Sequence, residues 1–274
     1  MPELPEVETT INELKPHLTG KKISRVDLPW GSTAAFPSAA DFARELKGRT
    51  IEDITRRGKY IIIKLSGGKY LLAHLRMTGS LLLRREGEEP DKFTRAVIHL
   101  KSGYAVHFRD VRRFGRMWLV DRPETVVGKL GVEPLSDGFT AAKLSEMLKG
   151  RTTPVKNLIL DQSRIAGIGN MYADEALHRA KLNPLRQGGS LSAEEVKRLH
   201  RAIREVLRQG IRNNGASTDT YFRPDGARGS AQMSFKVAHR KGEKCPLCSC
   251  EIQRIVVGQR GTYFCPNCQK LHRS

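Results

Sequence analysis

The 274-residue chain lacks long apolar runs, since Ile61–Ile63 and Leu81–Leu83 are typical of the runs it has. A transmembrane helix needs about 20 consecutive apolar residues, so a membrane-spanning protein is excluded. The acidic N-terminus also lacks the basic and apolar pattern of a secretory signal, which predicts a cytoplasmic protein. Internal repeats are absent too.

Acidic residues are scarce relative to basic ones. The chain has 48 Lys and Arg against 29 Asp and Glu, which gives a formal net charge of +19. Such a charge favours a polyanionic partner, and the phosphate backbone of nucleic acid is the commonest one. A basic protein without such a partner, or one that meets an anionic membrane surface, fits the charge as well. Hydrophobic residues make up 39%, enough for two modest folded domains.

Cysteine is missing from the first 244 residues, and all five cysteines follow. Cys245-Pro-Leu-Cys248 and Cys265-Pro-Asn-Cys268 form two C-x-x-C knuckles, which supply the four thiolates of a tetrahedral zinc site. Four cysteines leave no open position for water, so one structural zinc ion is predicted; a redox dithiol is the alternative. Cys250 is predicted to be a bystander. Strand, turn and strand follow between the knuckles, with Arg260 at the tip.

The first half of the chain predicts one helix followed by strands. Leu4, Val7, Ile11, Leu14 and Leu18 recur at helical spacing, and Gly20 ends the pattern. From Ile23 to about Val120 the pattern is typical of strands, with paired runs on either side of Gly67-Gly68 and of Ser102-Gly103. This half is expected to be a β-sandwich or partial barrel with a leading helix.

The second half is predicted to be helical. A stretch with proline and glycine, 121–138, is interpreted as the linker. Four helices are expected, at Ala141–Lys149, Pro154–Asp161, Asn170–Ala180 and Ser192–Arg212. Gly167-Ile-Gly169 separates the middle two, which predicts a helix–turn–helix with a helix start at which a phosphate could bind. The aperiodic segment 213–241 is predicted to be a long functional loop.

Motifs along the whole chain resemble those of the formamidopyrimidine-DNA glycosylases. They are Met1-Pro-Glu-Leu-Pro-Glu-Val-Glu8, Arg57-Gly-Lys59, His74-Leu-Arg-Met77, Arg109-Asp-Val-Arg112-Arg-Phe114-Gly115, Lys156, Ala166-Gly-Ile-Gly-Asn170 and the C-terminal zinc ribbon. The resemblance implies an α+β fold: an N-terminal β-sandwich with a leading helix, then a helical helix–two-turn–helix domain with a zinc-ribbon finger. The expected divisions are 1–120, the linker 121–138, 139–240 with a lesion loop at 217–237, and a finger at 241–274.

The same resemblance implies a bifunctional glycosylase and abasic-site lyase. It would excise 8-oxoguanine and formamidopyrimidines from duplex DNA in base excision repair, as a monomer without a membrane partner. Removal of Met1 would free the Pro2 amine, and an α-amino group titrates near pH 8, so a useful neutral fraction exists. Pro2 would form a Schiff base with the sugar, Glu3 would act as general acid, and Glu6 would position them. Ordinary helix-start preferences also explain these residues.

The remaining site residues are carried over from the family by position. Lys59, Asn170 and Arg260 would clamp phosphates, and Lys156 would take part in phosphate and purine recognition. Met77 and Phe114 would wedge into the base stack while Arg112 bonds the orphaned cytosine. From the residues alone, Met77 and Phe114 fit a core and Arg112 and Arg260 fit solvated charges. The remaining expected DNA-contacting residues are His74, Thr218, Thr220 and Tyr221.

Other functions stay open at this point. The endonuclease VIII-like branch of the family prefers oxidised pyrimidines, but it typically begins Pro-Glu-Gly-Pro-Glu, where this chain has Leu4. A non-catalytic zinc protein that binds damaged DNA fits the charge and the ribbon, and so does an RNA-binding, ribosome-associated protein; neither accounts for Pro2 and Glu3. One segment departs from the family: a Val-Tyr-Gly-Arg-like stretch is expected where this chain has Val237-Ala-His-Arg240.

Overall fold

The computed structural model describes residues 1–218 and 220–271. Its contacts divide the chain into one unit of Met1–Lys129 with Ile211–Ala231, and a second of Leu130–Gly210 with the chain from Gln232 onward. The boundary between the two units after Lys129 falls inside the stretch 121–138, which the sequence predicted to be the linker. The segment 211–231 groups with the first unit, whereas the sequence placed it with the helical domain, because its backbone bonds to the N-terminal helix and to a strand edge. Residue 219 of the expected lesion loop and 272–274 of the expected finger lie outside the described residues.

The described residues of the first unit form two sheets and three α-helices. The elements are α1 (Leu4–Leu18), β1 (Ile23–Asp27), β2 (Ala34–Phe36), α2 (Ala39–Leu46), β3 (Ile51–Arg57), β4 (Tyr60–Leu65), β5 (Lys69–His74), β6 (Gly79–Arg85), β7 (Thr94–Leu100), β8 (Tyr104–Asp110), β9 (Arg116–Val120) and α3 (Glu124–Val127). One sheet has the strand order β1-β7-β8-β6 and the other β2-β9-β5-β4-β3. Residues of both sheets and of α1 share one hydrophobic core, which makes this unit the expected β-sandwich with a leading helix.

Helix α1 is held by its buried stripe. Val7, Ile11, Leu14 and Leu18 lie in the sandwich core, and each buried aliphatic side chain stabilises the fold by about 1.5–3 kcal/mol. Their sum exceeds the cost of about 3 kcal/mol for a proline inside a helix, so Pro16 is tolerated in the last turn.

The predicted hairpins form where the turn residues indicated. β4 pairs antiparallel with β5, and Gly67 and Gly68 between them both have positive φ, at 74° and 72°. β7 pairs with β8 in the same way. The sequence did not predict α2, although its start signal was present: Ser38 Oγ accepts the Asp41 N–H at 3.3 Å.

The second unit contains the predicted helices and the ribbon. Its elements are α4 (Ala141–Leu148), α5 (Val155–Leu160), α6 (Asn170–Arg179), α7 (Ala193–Arg212, whose last two residues group with the first unit), β10 (Gln253–Val257) and β11 (Arg260–Phe264). A capping box begins α7, since Ser192 N–H donates to Glu195 Oε2 at 2.8 Å and Glu195 N–H to Ser192 Oγ at 3.2 Å. Among the described residues, no helix is long and apolar enough to cross a membrane.

Candidate active site and metal centre

The start of α1 buries the residues expected to carry the chemistry. Pro2 is buried and Glu3 is only 2% exposed, whereas Met1 before them is exposed. Glu3 precedes the first helical residue, and its N–H donates to Glu6 Oε2 at 2.7 Å. A proline and acidic residues satisfy or avoid the orphan N–H groups of a helix start. This local pattern therefore fixes Pro2 and Glu3 in one buried place.

Glu6 also binds the segment 211–231 of the same unit. Its Oε1 accepts the Ala216 N–H at 2.7 Å, and its backbone carbonyl accepts the Tyr221 hydroxyl at 3.0 Å. Gly215 allows this approach, because its φ is +72° and a Cβ there would lie 3.0 Å from Glu6 Cγ. The carboxylate thus ties the first turn of α1 to the start of the expected lesion loop.

The three expected base-contacting residues of that loop lie in different surroundings. Thr218 is exposed and Thr220 is half-buried. Tyr221 is only 4% exposed, and burial raises the pKa of its hydroxyl above the usual range. Because that hydroxyl already bonds to Glu6 and neighbours Thr10, Tyr221 anchors the loop in this structure, and the accessible side chains are the two threonines.

Lys59 and His74 are buried polar residues of the five-stranded sheet β2-β9-β5-β4-β3 and its turns. Lys59 is 6% exposed and follows Gly58 in the turn between β3 and β4. His74 ends β5 and accepts the Arg76 N–H on Nδ1 at 3.0 Å. Burial, with the nearby charges of Arg76 and Lys59, lowers the pKa of His74 to about 3. His74 is therefore neutral at physiological pH, next to two cations.

The three residues of the expected wedge are exposed. Met77 is 40% and Phe114 is 46% exposed. Arg112 is exposed as well, with its guanidinium 4.6 Å from the Phe114 ring centroid. The core position that the residues alone favoured for Met77 and Phe114 is therefore wrong.

Lys156 in the second unit is fully buried. Its Nζ lies 2.6 Å from Asp174 Oδ1, donates to Thr262 Oγ1 at 2.7 Å and lies 3.3 Å from the Gly261 carbonyl. Burial raises the pKa of Asp174 to about 7, although the Lys156 ammonium opposes the rise. Lys156, for which phosphate and purine recognition was expected, holds the start of β11 against α6 in this structure.

Asn170 begins α6 and Arg260 begins β11, the helix and the strand that Lys156 holds together. Asn170 is the first residue of α6, and its Nδ2 donates to the Gly261 carbonyl at 2.8 Å. Its Oδ1 is buried without a hydrogen-bond partner among the described residues. Arg260 is exposed, and it follows a turn in which Gly258 and Gln259 have φ values of 53° and 63°. An exposed guanidinium near the start of a helix suits a phosphate.

The four knuckle cysteines form a site that fits zinc. The Sγ atoms of Cys245, Cys248, Cys265 and Cys268 all lie within 4.8 Å of one another. Zn–S bonds of about 2.3 Å in a tetrahedron require S–S separations of about 3.8 Å, and the shorter ones here are 3.4–3.8 Å. Cys250 lies outside this group, as predicted.

Sequence reasoning missed two residues that support the ribbon. His178 of α6 places Nε2 3.4 Å from Cys245 Sγ, a contact that suits a donor to a metal-bound thiolate. Gln269 is fully buried; its Oε1 accepts the Cys265 N–H at 2.9 Å and its Nε2 donates to the Leu182 carbonyl at 2.8 Å. Neither residue stands in a motif, so no local signal could have identified it.

Profiles of known families match most of the chain. Residues 1–117 match the formamidopyrimidine-DNA glycosylase N-terminal domain, and 130–221 match the helix–two-turn–helix domain of the same glycosylase. Residues 242–271 match a zinc finger found in this glycosylase and in isoleucyl-tRNA synthetase.

Full-length relatives and solved structures agree with the profiles. The chain is 45% identical to a formamidopyrimidine-DNA glycosylase of Roseiflexus sp. over 98% of this chain and 100% of that one. It resembles the crystal structure of the MutM (Fpg) protein of Thermus thermophilus, with a TM-score of 0.89 and 40% identity, over 99% and 100% of the two chains. A Lactococcus lactis mutant protein, crystallised with Fapy-dG-containing DNA, gives a TM-score of 0.93 at 34% identity over 98% and 100%.

Proposed function

This chain belongs to the formamidopyrimidine-DNA glycosylase family, and we propose that it excises oxidised purines from duplex DNA with Pro2 as its nucleophile. It is a DNA glycosylase of base excision repair that binds damaged DNA, and its four-cysteine cluster holds one structural zinc ion. We propose that its lesions are oxidised purines and that it acts on the bacterial chromosome in the cytoplasm. The roles given below to single residues are proposed as well. The observation that supports this proposal best is the burial of Pro2 and Glu3 beside the Glu6 carboxylate.

The first step needs a neutral secondary amine. After Met1 is removed, the Pro2 nitrogen attacks C1′ of the damaged nucleotide, the glycosidic bond breaks, and the base leaves with a proton. The sugar C1′–O4′ bond then opens, O4′ takes a proton, and an iminium joins Pro2 to C1′. A secondary amine has no second proton to lose, so the adduct stays cationic and draws electrons for the later eliminations.

Glu3 is the proton donor for the sugar oxygen. It adjoins the nucleophile in the chain and is 2% exposed, so its carboxyl group lies in the same buried site as the Pro2 nitrogen. Glu6 positions this end of the chain, because its two oxygens accept N–H groups of Glu3 and Ala216. Loss of protons from C2′ and then C4′ expels the 3′ and 5′ phosphates in turn and removes the damaged nucleoside's sugar.

Other residues hold the DNA in the reactive geometry. Lys59, Arg260 and Asn170 clamp phosphates around the extruded nucleotide. Lys59 and Arg260 also belong to the proposed catalytic residues. Met77 and Phe114 fill the gap in the stack, and Arg112 bonds the orphaned cytosine. The exposure of Met77 and Phe114 suits their roles, since a buried Met or Phe could not enter DNA. The zinc ribbon fixes the hairpin that carries Arg260.

Borohydride trapping tests the proposal directly. The protein, with Pro2 confirmed as its first residue by mass spectrometry, is incubated with a duplex that carries 8-oxoguanine opposite cytosine. A reduced covalent adduct that maps to Pro2 is expected. Processed protein that binds this duplex and an abasic duplex but forms an adduct with neither would reject Pro2 catalysis.

Two variants and one further substrate sharpen this test. Pro2→Gly is expected to lose nearly all strand cleavage with little change in duplex binding; an equal loss of binding would contradict the nucleophile role. An extra glycine between Met1 and Pro2 keeps the proline nitrogen in a peptide bond and should abolish the adduct. Because the Lactococcus protein was also crystallised with DNA containing an oxidised pyrimidine, a thymine glycol duplex measures how narrow the purine preference is.

A further inference from the structure

Two loops of the first unit carry the exposed residues Met77, Arg112 and Phe114. The loop 75–78 leads from β5 to β6, and the loop 111–115 leads from β8 to β9. β5 and β9 are paired neighbours, with His74 opposite Arg116, and β6 and β8 are paired neighbours, with Gly79 opposite Asp110. Both loops therefore cross from one sheet to the other at the same end of the sandwich, side by side.

One buried carboxylate joins the two loops. Asp110, the last residue of β8, is 1% exposed. Its Oδ1 accepts the Thr78 hydroxyl and the Arg112 N–H, the latter at 3.2 Å, while Oδ2 accepts the Gly115 N–H at 2.7 Å. Thr78 is also buried, and its Oγ1 accepts the same Arg112 N–H at 3.1 Å. The carboxylate thus brackets the loop 111–115 at both ends and holds the residue after Met77.

The surrounding backbone leaves the loops little freedom to move separately. A Cβ at Gly115 would lie 2.3 Å from the Phe108 ring, and a Cβ at Gly79 would lie 2.4 Å from the Leu75 carbonyl oxygen. The carbonyl of Asp110 is itself held by Arg95 Nε at 2.8 Å. These close contacts make the Asp110 carboxylate and the Thr78 hydroxyl a fixed point from which the three exposed side chains project.

We propose that Asp110 and Thr78 are positioning residues that couple the two loops, so that Met77, Arg112 and Phe114 enter the duplex as one preformed wedge. The proposal rests on the wedge role of these three residues. A wedge that is ordered before binding avoids the entropic cost of ordering two loops while a base is extruded. Neither Asp110 nor Thr78 touches the reacting atoms, and both act through the loops they hold.

A pair of substrates separates this role from a general structural one. A duplex with 8-oxoguanine opposite cytosine requires extrusion of the lesion and filling of the gap. A single-stranded oligonucleotide with an aldehydic abasic site requires neither and still reports the Pro2 adduct under borohydride. Asp110→Asn replaces one acceptor oxygen by an NH₂ group that faces N–H or O–H donors, and Thr78→Val removes the hydroxyl at nearly constant shape.

We expect each variant to lower 8-oxoguanine excision about 10- to 100-fold, the effect of losing one hydrogen bond to a charged group, and to leave single-strand trapping unchanged. The double variant should lose no more than the worse single variant, because coupled residues act non-additively. Asp91→Asn is the control: Asp91 is more exposed than Asp110, accepts bonds from the Arg109 guanidinium, the Thr94 hydroxyl and the Phe93 N–H, and does not join the two loops.

Any other outcome of these measurements would overturn a specific part of the proposal. Equal losses on both substrates would make Asp110 a general stability residue, and wild-type excision rates in both variants would show that the loops need no coupling. Additive losses in the double variant would mean that the two residues act separately. Failure of the wild-type protein to form the single-strand adduct would instead reject Pro2 catalysis, so the two proposals fail in distinguishable ways.

Discussion

The Glu6 carboxylate accepts the backbone N–H of Ala216 at 2.7 Å, although the two residues are 210 positions apart in the chain. Its other oxygen accepts the Glu3 N–H at the same distance. One side chain therefore sets the position of Glu3 and of the segment that leads into Thr218, Thr220 and Tyr221. Because each carboxylate oxygen accepts one of these two hydrogen bonds, both the charge and the shape of Glu6 are needed to position Glu3 and Ala216.

Glu6→Gln should lower borohydride trapping on the 8-oxoguanine duplex about 10- to 100-fold, since an amide NH₂ must then face a backbone N–H within a buried site. Glu13→Gln is the control, because Glu13 lies on the same helix and pairs with Arg223 of the same segment at 2.6 Å, but is partly exposed. Trapping rates of the two variants are compared at equal occupancy of the duplex. Equal rates for Glu6→Gln and the wild type would contradict the positioning role.

Lys156→Met tests whether Lys156 acts by contact with DNA or from within the fold. Without the ammonium, Asp174 is a buried carboxylate that has lost its ion partner, which costs about 3–5 kcal/mol. Because the pKa of Asp174 is already raised to about 7, the folded state holds this proton more tightly than the unfolded state. The variant should therefore become less stable as the pH rises from 6 to 8, as measured by urea unfolding.

A second substitution completes this prediction. The double variant Lys156→Met with Asp174→Leu removes both charges, and its unfolding midpoint should recover and lose the added pH dependence. If Lys156→Met kept wild-type stability at both pH values and lost only DNA binding, direct contact with DNA would be the better account of Lys156.

Cys248→Ser should lower zinc affinity more than about 100-fold, since loss of a ligand exceeds the 10- to 100-fold cost of losing an outer hydrogen bond. DNA affinity should fall with it, because the ribbon fixes the hairpin of Arg260. Cys250→Ser is the matched control, two residues away and outside the four-sulfur cluster. Metal content and duplex binding are measured on both proteins. Retention of zinc and of binding by Cys248→Ser would show that the site is assigned wrongly.

His74 should make the first unit less stable in mild acid. Its folded pKa of about 3 lies below the ordinary value of 6.5, so the unfolded chain takes up a proton that the folded state refuses. Stability from this group is present above pH 6.5 and is lost as the pH falls toward 3. Between pH 7.5 and 5.5 the wild type should lose about 1 kcal/mol more than His74→Asn, whose carbonyl oxygen replaces Nδ1. Equal losses in urea unfolding would mean that the fold leaves the pKa of His74 at its ordinary value.

Much of the fold could be predicted, because the signals are local. The stripe from Leu4 to Leu18 and the turn at Gly67-Gly68 depend on residues within a few positions of one another, and the structure confirms both. Helix α2 was missed because eight residues with a single cap inside a strand-rich region give a weak periodic signal. The contacts of the segment 211–231 with the first unit could not be predicted, because hydrogen bonding to a distant helix has no local pattern.

The candidate site also has features that the sequence predicted and features that only the structure revealed. Residue identity and spacing alone determined the zinc ligands, since tetrahedral thiolate coordination needs two knuckles and little else. The order of motifs along the chain predicted the family. What only the tertiary structure decided is where each side chain faces: Met77 and Phe114 are exposed and Lys156 and Tyr221 are buried, against what residue type or family position suggested.

The physical reason is that burial depends on long-range contacts. Lys156 is buried with partners that lie elsewhere in the chain, Asp174 and Thr262, and Thr78 beside the exposed Met77 bonds to Asp110, 32 positions away. A sequence specifies such pairs only through the complete fold. The sequence by itself therefore determined most of the helices and strands and the metal site, whereas the tertiary structure decided which side chains are exposed and which are buried.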